Sequence, residues 1–281
     1  MTDARDRGED GSGAGRAGGN GADAGALFDV SGKTALVTGG SRGIGLMIAR
    51  GLVQAGAHVI VSSRKAADVQ AAAAELAEIG ECHAIPADIS TQEGAQELAA
   101  AVRQRFPALH ILVNNAGATW GAPLEQFPAG GWQKVLATNV EGVFHLTVAL
   151  LEPLRAAASA EDPARVINIG SINGLAAPAV ENYSYSASKA AVHMLTRHLA
   201  KRLADQHITV NAIAPGPFQS KMMAFALEDP EARAAIEAGV PLRRIGRPDD
   251  VAGLTIFLSS RAGAYMTGTV IPLDGGVTGC N

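Results

Sequence analysis

Cysteine and aromatic residues are scarce in this sequence. The two cysteines, Cys82 and Cys280, make neither a disulfide framework nor a metal-binding spacing, which fits a reducing compartment. Aromatics are only 4% of residues against 47% hydrophobic residues overall, so the core must be built from Ala, Val, Leu and Ile. No apolar run approaches the roughly 20 residues that a membrane span needs. Neither sign of charge dominates. A formal net charge of −4 lacks the basic signature of a nucleic-acid binder. The amino terminus has no apolar signal core, so the cytoplasm is the expected location. The seven histidines show no ligand spacing, and no metal is expected.

Glycine is abundant and unevenly placed. Residues 1–26 hold eight glycines, several Asp and Arg, and almost nothing to bury. Such a segment cannot offset its ordering entropy and is expected to be a disordered tail. Residues 27–281 are long enough for one large α/β domain.

Within that domain strands and helices alternate. Lys33 to Thr38 is a β-rich run without alternation, as expected of a parallel strand buried on both faces. Gly39-Gly40-Ser41-Arg42-Gly43-Ile44-Gly45 follows, and then a helical pattern from Leu46 to Ala55. Strand, glycine turn and helix together make a phosphate cradle, because glycines allow close backbone approach and a helix N-terminus offers free N–H groups. His58 to Ser62 is the second strand. An acid that binds the ribose 2′-hydroxyl of NAD is expected about 20 residues past the glycines. Here Ser62-Ser63-Arg64-Lys65 stands in its place. Arg64, with Arg42 in the turn, suits a 2′-phosphate and favours NADP over NAD. Further strands end at Asp88-Ile89, at Asn114-Asn115-Ala116-Gly117, at Gly170-Ser171 and at Pro215-Gly216. Trp132 to Ala158, carrying Asn139, reads as one long helix. The rhythm predicts a doubly wound parallel sheet with a single Rossmann-like domain, and it places these residues at the carboxyl ends of successive strands. Residues 217–247 break the rhythm and read as an insertion of short helices.

Tyr185 and Lys189 lie four residues apart, one helical turn along one face. A phenol holds its proton to pH about 10. A nearby ammonium favours the phenolate, so the pair reads as a general acid and its tuner. Tyr183 competes, but six residues from Lys189 it falls near the opposite face.

Taken together, Thr38-Gly39-x-x-x-Gly43-Ile44-Gly45, Asp88, Asn114-Asn115-Ala116-Gly117, Asn139, Ser171, Tyr185-x-x-x-Lys189 and Pro215-Gly216 resemble the short-chain dehydrogenase/reductase family. Within that family, residues 35–45, 163–171 and 262–268 are similar to bacterial NADPH-dependent 3-oxoacyl (β-ketoacyl) reductases, including the rhamnolipid-pathway type.

The resemblance implies that NADPH reduces a ketone. Tyr185 would donate the proton. Lys189 would lower the Tyr185 pKa and bind the nicotinamide ribose. Ser171 would hold the substrate oxygen, and Asn139 would anchor a water chain to Lys189. Gly39, Ser41, Arg42, Gly43, Ile44, Gly45, Ser63, Arg64, Asp88, Ile89, Asn115, Ala116, Gly117, Pro215 and Gly216 would line the cofactor site. The 217–247 segment, with Met222, Met223, Phe225 and Leu227, would close over an apolar substrate. The Ser171-to-Tyr185 interval of 14 residues is slightly long for the family, which implies a loop variation.

The implied substrate is a 3-oxoacyl thioester. The alternatives are another small ketone or secondary alcohol, or a non-catalytic dinucleotide-binding regulator. A homo-oligomer, tetramer or dimer, is expected from the family. Reductases that act on acyl carrier protein dock this acidic partner through basic residues. Glu161-Asp162 and Asp205-Gln206 stand at those places. Acidic groups there should repel the carrier, so it is disfavoured against acyl-CoA.

Overall fold

The structure is a computed structural model that describes residues 24–219 and 229–280. Seven strands form one parallel sheet: β1 Thr34–Thr38, β2 His58–Ser63, β3 Cys82–Pro86, β4 Ile111–Asn114, β5 Ala164–Ile169, β6 Ile208–Pro215 and β7 Val270–Leu273. Their order is β3-β2-β1-β4-β5-β6-β7. The order reverses between β1 and β4, which opens a crevice at the carboxyl ends of the strands. The expected doubly wound sheet is therefore present.

Alternate strand residues feed two cores. Val37, Val59, Val61, Ile111 and Ile167 pack under helices α1 Gly43–Gln54 and α2 Ala66–Ala77. Leu36, Ile60, Leu112, Val166 and Val210 pack under the opposite helical layer, whose first member is α3 Gln92–Arg105. Each fully buried Leu, Ile or Val contributes about 1.5–3 kcal/mol. With so few aromatics, many such small contributions hold the sheet.

The expected single helix from Trp132 to Ala158 is four pieces. Helix α4, Ala129–Leu136, runs into a π-helical turn at Ala137–Glu141, followed by α5, Gly142–Ala149. Helix α6, Leu151–Ala157, then turns away by 57°. The bend has a covalent cause: Pro153 has no N–H to give the Ala149 carbonyl, and its ring crowds that oxygen. Arg103 Nη1 donates to the freed carbonyl at 2.7 Å. Among the described residues, no single helix is long and apolar enough to cross a membrane.

Helix α7, Tyr183–Leu203, carries the Tyr/Lys pair and packs on β6. Beneath it a buried polar ladder crosses the sheet. Asn114 Nδ2 donates to Thr147 Oγ1 at 3.1 Å and to Asn168 Oδ1 at 2.9 Å, and Asn168 Nδ2 donates to Thr196 Oγ1 at 2.9 Å. Helices α8, Pro230–Gly239, and α9, Pro248–Ser259, complete the described chain.

At the amino ends of the strands, Asp162 Oδ1 accepts from Lys33 Nζ at 2.8 Å and from Arg165 Nη2 at 3.0 Å. Arg165, only 1% exposed, and Lys33 also donate to the Leu258, Ser259 and Ser260 carbonyls at the end of α9. The negative end of the helix dipole and one carboxylate offset two cations there. Asp162 is therefore neutralised in place and adds little to any repulsion of an acidic carrier. Glu161 and Asp205 are exposed, with Lys201 and Arg202 exposed beside the latter.

Candidate active site

The glycine turn is held by the tail of β4. Asn115 Nδ2 donates to the Thr38 carbonyl at 2.8 Å and to the Gly39 carbonyl at 3.2 Å. Thr38 Oγ1 accepts from the Asn115 and Ala116 amides at 3.0 and 3.1 Å. Thr38 belongs to the motif, but its hydroxyl clamp was not legible in the sequence. Gly39 has φ +64°, and any side chain at Gly45 would overlap Asn115 and the Gly39 carbonyl. The turn needs glycine at both positions.

The N-terminus of α1 carries no side-chain cap, since Arg42 is in the N-cap place and makes no capping bond. Its first N–H groups therefore lack a side-chain acceptor from the cap, which suits an anion. The Oγ atoms of Ser62 and Ser63 are buried without partners at the end of β2. Arg42 and Arg64 are exposed and, among the described residues, make no ion pair. Unpaired hydroxyls and free guanidiniums beside an uncapped helix end, with no carboxylate at this place, fit a dinucleotide that bears a 2′-phosphate.

The other strand ends converge on the same crevice. Asp88 is exposed and accepts from Ser90 N at 3.0 Å, while Ile89 is buried. Gly216 N donates to the Leu273 carbonyl at 3.0 Å. A first side-chain carbon on Gly216 would lie 2.7 Å from Asp274 Cβ, so the backbone after Pro215 needs glycine.

Ser171 caps a short 3-10 turn, Ile172–Gly174, and its Oγ accepts from Asn173 N at 3.1 Å. The Ser171 side chain lies close enough to Tyr185 to favour its phenolate. The long interval between the two is taken up by the 3-10 turn and the loop that follows it. Lys189 is 5% exposed, donates to the Ile169 carbonyl at 2.7 Å and lies 5.6 Å from the centre of the Tyr185 ring. Burial lowers its pKa to about 8.

The expected lowering of the Tyr185 pKa by Lys189 is corrected here. Burial raises the Tyr185 pKa, and the Ser171 hydroxyl, which favours the phenolate, opposes it. The ammonium sits beneath the ring rather than at its oxygen, so desolvation wins.

Tyr183 is turned away. Its hydroxyl donates to Glu181 Oε1 at 3.0 Å, and its ring packs edge-on to Phe127 at 5.6 Å.

Asn139 is 1% exposed and lies in the π-helical turn. Its Nδ2 donates to the Ala118 carbonyl and to Ser188 Oγ, both at 2.9 Å, and its Oδ1 accepts from Ala118 N at 2.7 Å. The turn widens the helix by one residue and aims this carboxamide between the β4 loop and α7. Ser188, one residue before Lys189, is a partner that the sequence did not single out. A first side-chain carbon on Gly117 would lie 3.5 Å from Asn139 Oδ1 and 3.8 Å from Lys189 Nζ, so these groups share one space. The residues Met222, Met223, Phe225 and Leu227 lie outside the described residues.

A phenol over a buried amine, with a serine hydroxyl beside it at the carboxyl ends of the strands, can pass a proton to a carbonyl oxygen. The chain is similar to known proteins. The family described as Enoyl-(Acyl carrier protein) reductase matches residues 39–278. The rhamnolipid-biosynthesis 3-oxoacyl-acyl-carrier-protein reductase of Pseudomonas aeruginosa is 53% identical over 249 residues, 89% of this chain and 97% of that protein. The structure of the Pseudomonas aeruginosa RhlG/NADP active-site complex superposes with TM-score 0.88 at 52% identity, covering 90% of this chain and 98% of that one. The 3beta-hydroxysteroid dehydrogenase 1 of Eggerthella lenta is 36% identical over 89% of this chain and 95% of that protein. By its motifs, its sheet and these relatives, the chain belongs to the short-chain dehydrogenase/reductase family of oxidoreductases.

Proposed function

We propose that the protein is an NADPH-dependent reductase that converts the ketone of 3-oxoacyl thioesters to the 3-hydroxyl. The observation that carries this reading is Tyr185 stacked over buried Lys189, with Ser171 acting on the phenol, in a chain 53% identical to a 3-oxoacyl reductase. When bound, NADPH supplies the hydride that the ketone carbon receives. Ser171 Oγ holds the ketone oxygen. Tyr185 gives that oxygen its proton as negative charge develops there. Lys189, held by the Ile169 carbonyl, keeps positive charge under the phenol. Asn139 locks the β4 loop to α7, which holds Ser188 and Lys189 in place and supports a water chain that returns the proton.

The groups assigned to the cofactor are Gly39, Ser41, Arg42, Gly43, Ile44, Gly45, Ser63, Arg64, Asp88, Ile89, Asn115, Ala116, Gly117, Pro215 and Gly216. Residues 217–247 serve as the substrate cover, supported by Phe218, which packs against Gly246. The free thiols of Cys82 and Cys280 support a cytoplasmic location. The exposed Phe144, Val148 and Met194 support assembly into a dimer or tetramer.

Arg64→Asp is expected to weaken NADPH binding about tenfold to a hundredfold more than NADH, the value of a charge-assisted bond to phosphate. Titration of both cofactors reads this, and equal losses would remove the phosphate role of Arg64. The substrate reading is tested by NADPH consumption with acetoacetyl-CoA and with its carrier-linked analogue. Both should be reduced, and exposed Glu161 and Asp205 favour the CoA form. An advantage of more than about tenfold for the carrier form would overturn that preference. Turnover of only sugar or steroid ketones would move the substrate to another class. Tight NADPH binding with no turnover of any ketone would support a regulator.

A further inference from the structure

His193 lies one turn beyond Lys189 on the same face of α7. It is 3% exposed, and neither ring nitrogen has a hydrogen-bond partner. The ring fills space that two glycines leave open. A side chain on Gly170 would overlap His193 Nε2, and the first side-chain carbon on Gly174 would lie 2.8 Å from His193 Cε1. Those glycines bracket Ser171. Gly170 N is fixed to the Ile213 carbonyl at 2.7 Å, and Gly174 N to the Ser171 carbonyl at 3.0 Å. The imidazole thus forms the floor of the turn that presents the serine hydroxyl.

An aliphatic side chain would fill that space without leaving two polar atoms unpaired, at about 1–3 kcal/mol. The polarity of the ring therefore calls for a role. Burial, then the Lys189 charge, keeps the imidazole neutral, so it carries one N–H. The nearby Gly174 backbone, to which the ring makes no formed hydrogen bond, pulls the other way.

We propose that His193 is a positioning residue for Ser171, clamping residues 170–174 from beneath and donating its N–H to the Gly174 carbonyl when Ser171 engages the ketone oxygen. The proposal rests on the reductase reading only for its kinetic arm. His193→Ala and His193→Phe are expected to lower kcat about tenfold to a hundredfold, with NADPH affinity changed less than threefold. His193→Gln, which restores an N–H, should recover at least about a third of the activity. In a Ser171→Ala background, His193→Ala should cost less than about twofold more, because the residue it positions is already gone. The cycle runs on whichever ketone is consumed, so it is separate from the choice of substrate. Amide exchange needs no substrate. At residues 170–175 it should rise about tenfold in His193→Ala, with Thr34–Thr38 unchanged. Full additivity in the cycle, wild-type activity in His193→Phe, or unchanged exchange at residues 170–175 would each overturn the proposal.

Discussion

Tyr185→Phe is expected to lower kcat by about 10²- to 10⁴-fold, the range of a lost general acid. NADPH affinity should change little. The variant removes one hydroxyl and leaves the ring over Lys189 Nζ. The substrate oxygen thereby loses its proton donor, while Ser171 stays held by Asn173 N. Tyr183→Phe should keep kcat within about threefold, since it loses only a bond to exposed Glu181. Steady-state rates and cofactor titration read both variants, and a reversed pattern would transfer the acid to Tyr183. The raised pKa of Tyr185 fixes the sign with pH. Reduction needs the protonated phenol and should hold its rate through neutral pH. Oxidation of the alcohol needs the phenolate and should accelerate as pH rises.

Lys189→Met is expected to separate activity from stability. Turnover should fall about 10²-fold or more, because the positive charge beneath Tyr185 is lost. The cofactor-free protein should become more stable. The Lys189 pKa is lowered from 10.5 to about 8 by burial, so the folded chain disfavours the ammonium form. The sign follows: between those values the unfolded chain binds more protons, and stability rises with pH there. Below about pH 8 the full cost is present, on the order of 3 kcal/mol. Methionine removes it but leaves the Ile169 carbonyl without its donor, so a net gain of about 1–3 kcal/mol at pH 7 is expected. For a chain of this size that is several degrees in Tm. The gain over wild type should shrink from pH 8 to pH 10.5. Thermal melts at pH 7 and pH 10 measure it, and a variant less stable than wild type at pH 7 would show that Lys189 is not strained. A buried cation held at a cost fits a site kept ready for a reaction rather than for the resting chain.

The sheet and the Ser/Tyr/Lys set were legible because strands buried on both faces read as continuous apolar runs, and because the chemistry sits at their ends. Other features depend on partners far along the chain. Asp162 is paired partly by Lys33, which is 129 residues away and invisible to local reading. The sign of the Tyr185 shift turns on burial, which neither spacing nor charge count reports. The break before α6 had a local signal in Pro153, outweighed by the helical pattern on either side. The π-helical turn at Asn139 has no residue signature of its own, and it becomes visible only when the carboxamide is seen bridging Ala118 and Ser188. His193 sits in the same stripe as Tyr185 and Lys189, but nothing local says that Gly170 and Gly174 make room for it.

Asn114 lies opposite Asn168 in the pairing of β4 with β5. Runs such as Ile111-Leu112-Val113 and Val166-Ile167 are apolar on both faces, so hydrophobicity alone barely distinguishes the right alignment from one shifted along the strand. Side chains alternate faces, so a slip by one residue would send the two carboxamides to opposite sides and strand them, along with Thr147 and Thr196, in hydrocarbon. The polar ladder thus acts as a vernier for the assembling sheet. It penalises misaligned β4 and β5, and in doing so fixes how far Asn115 and Ser171, which follow those strands, stand from each other along the crevice.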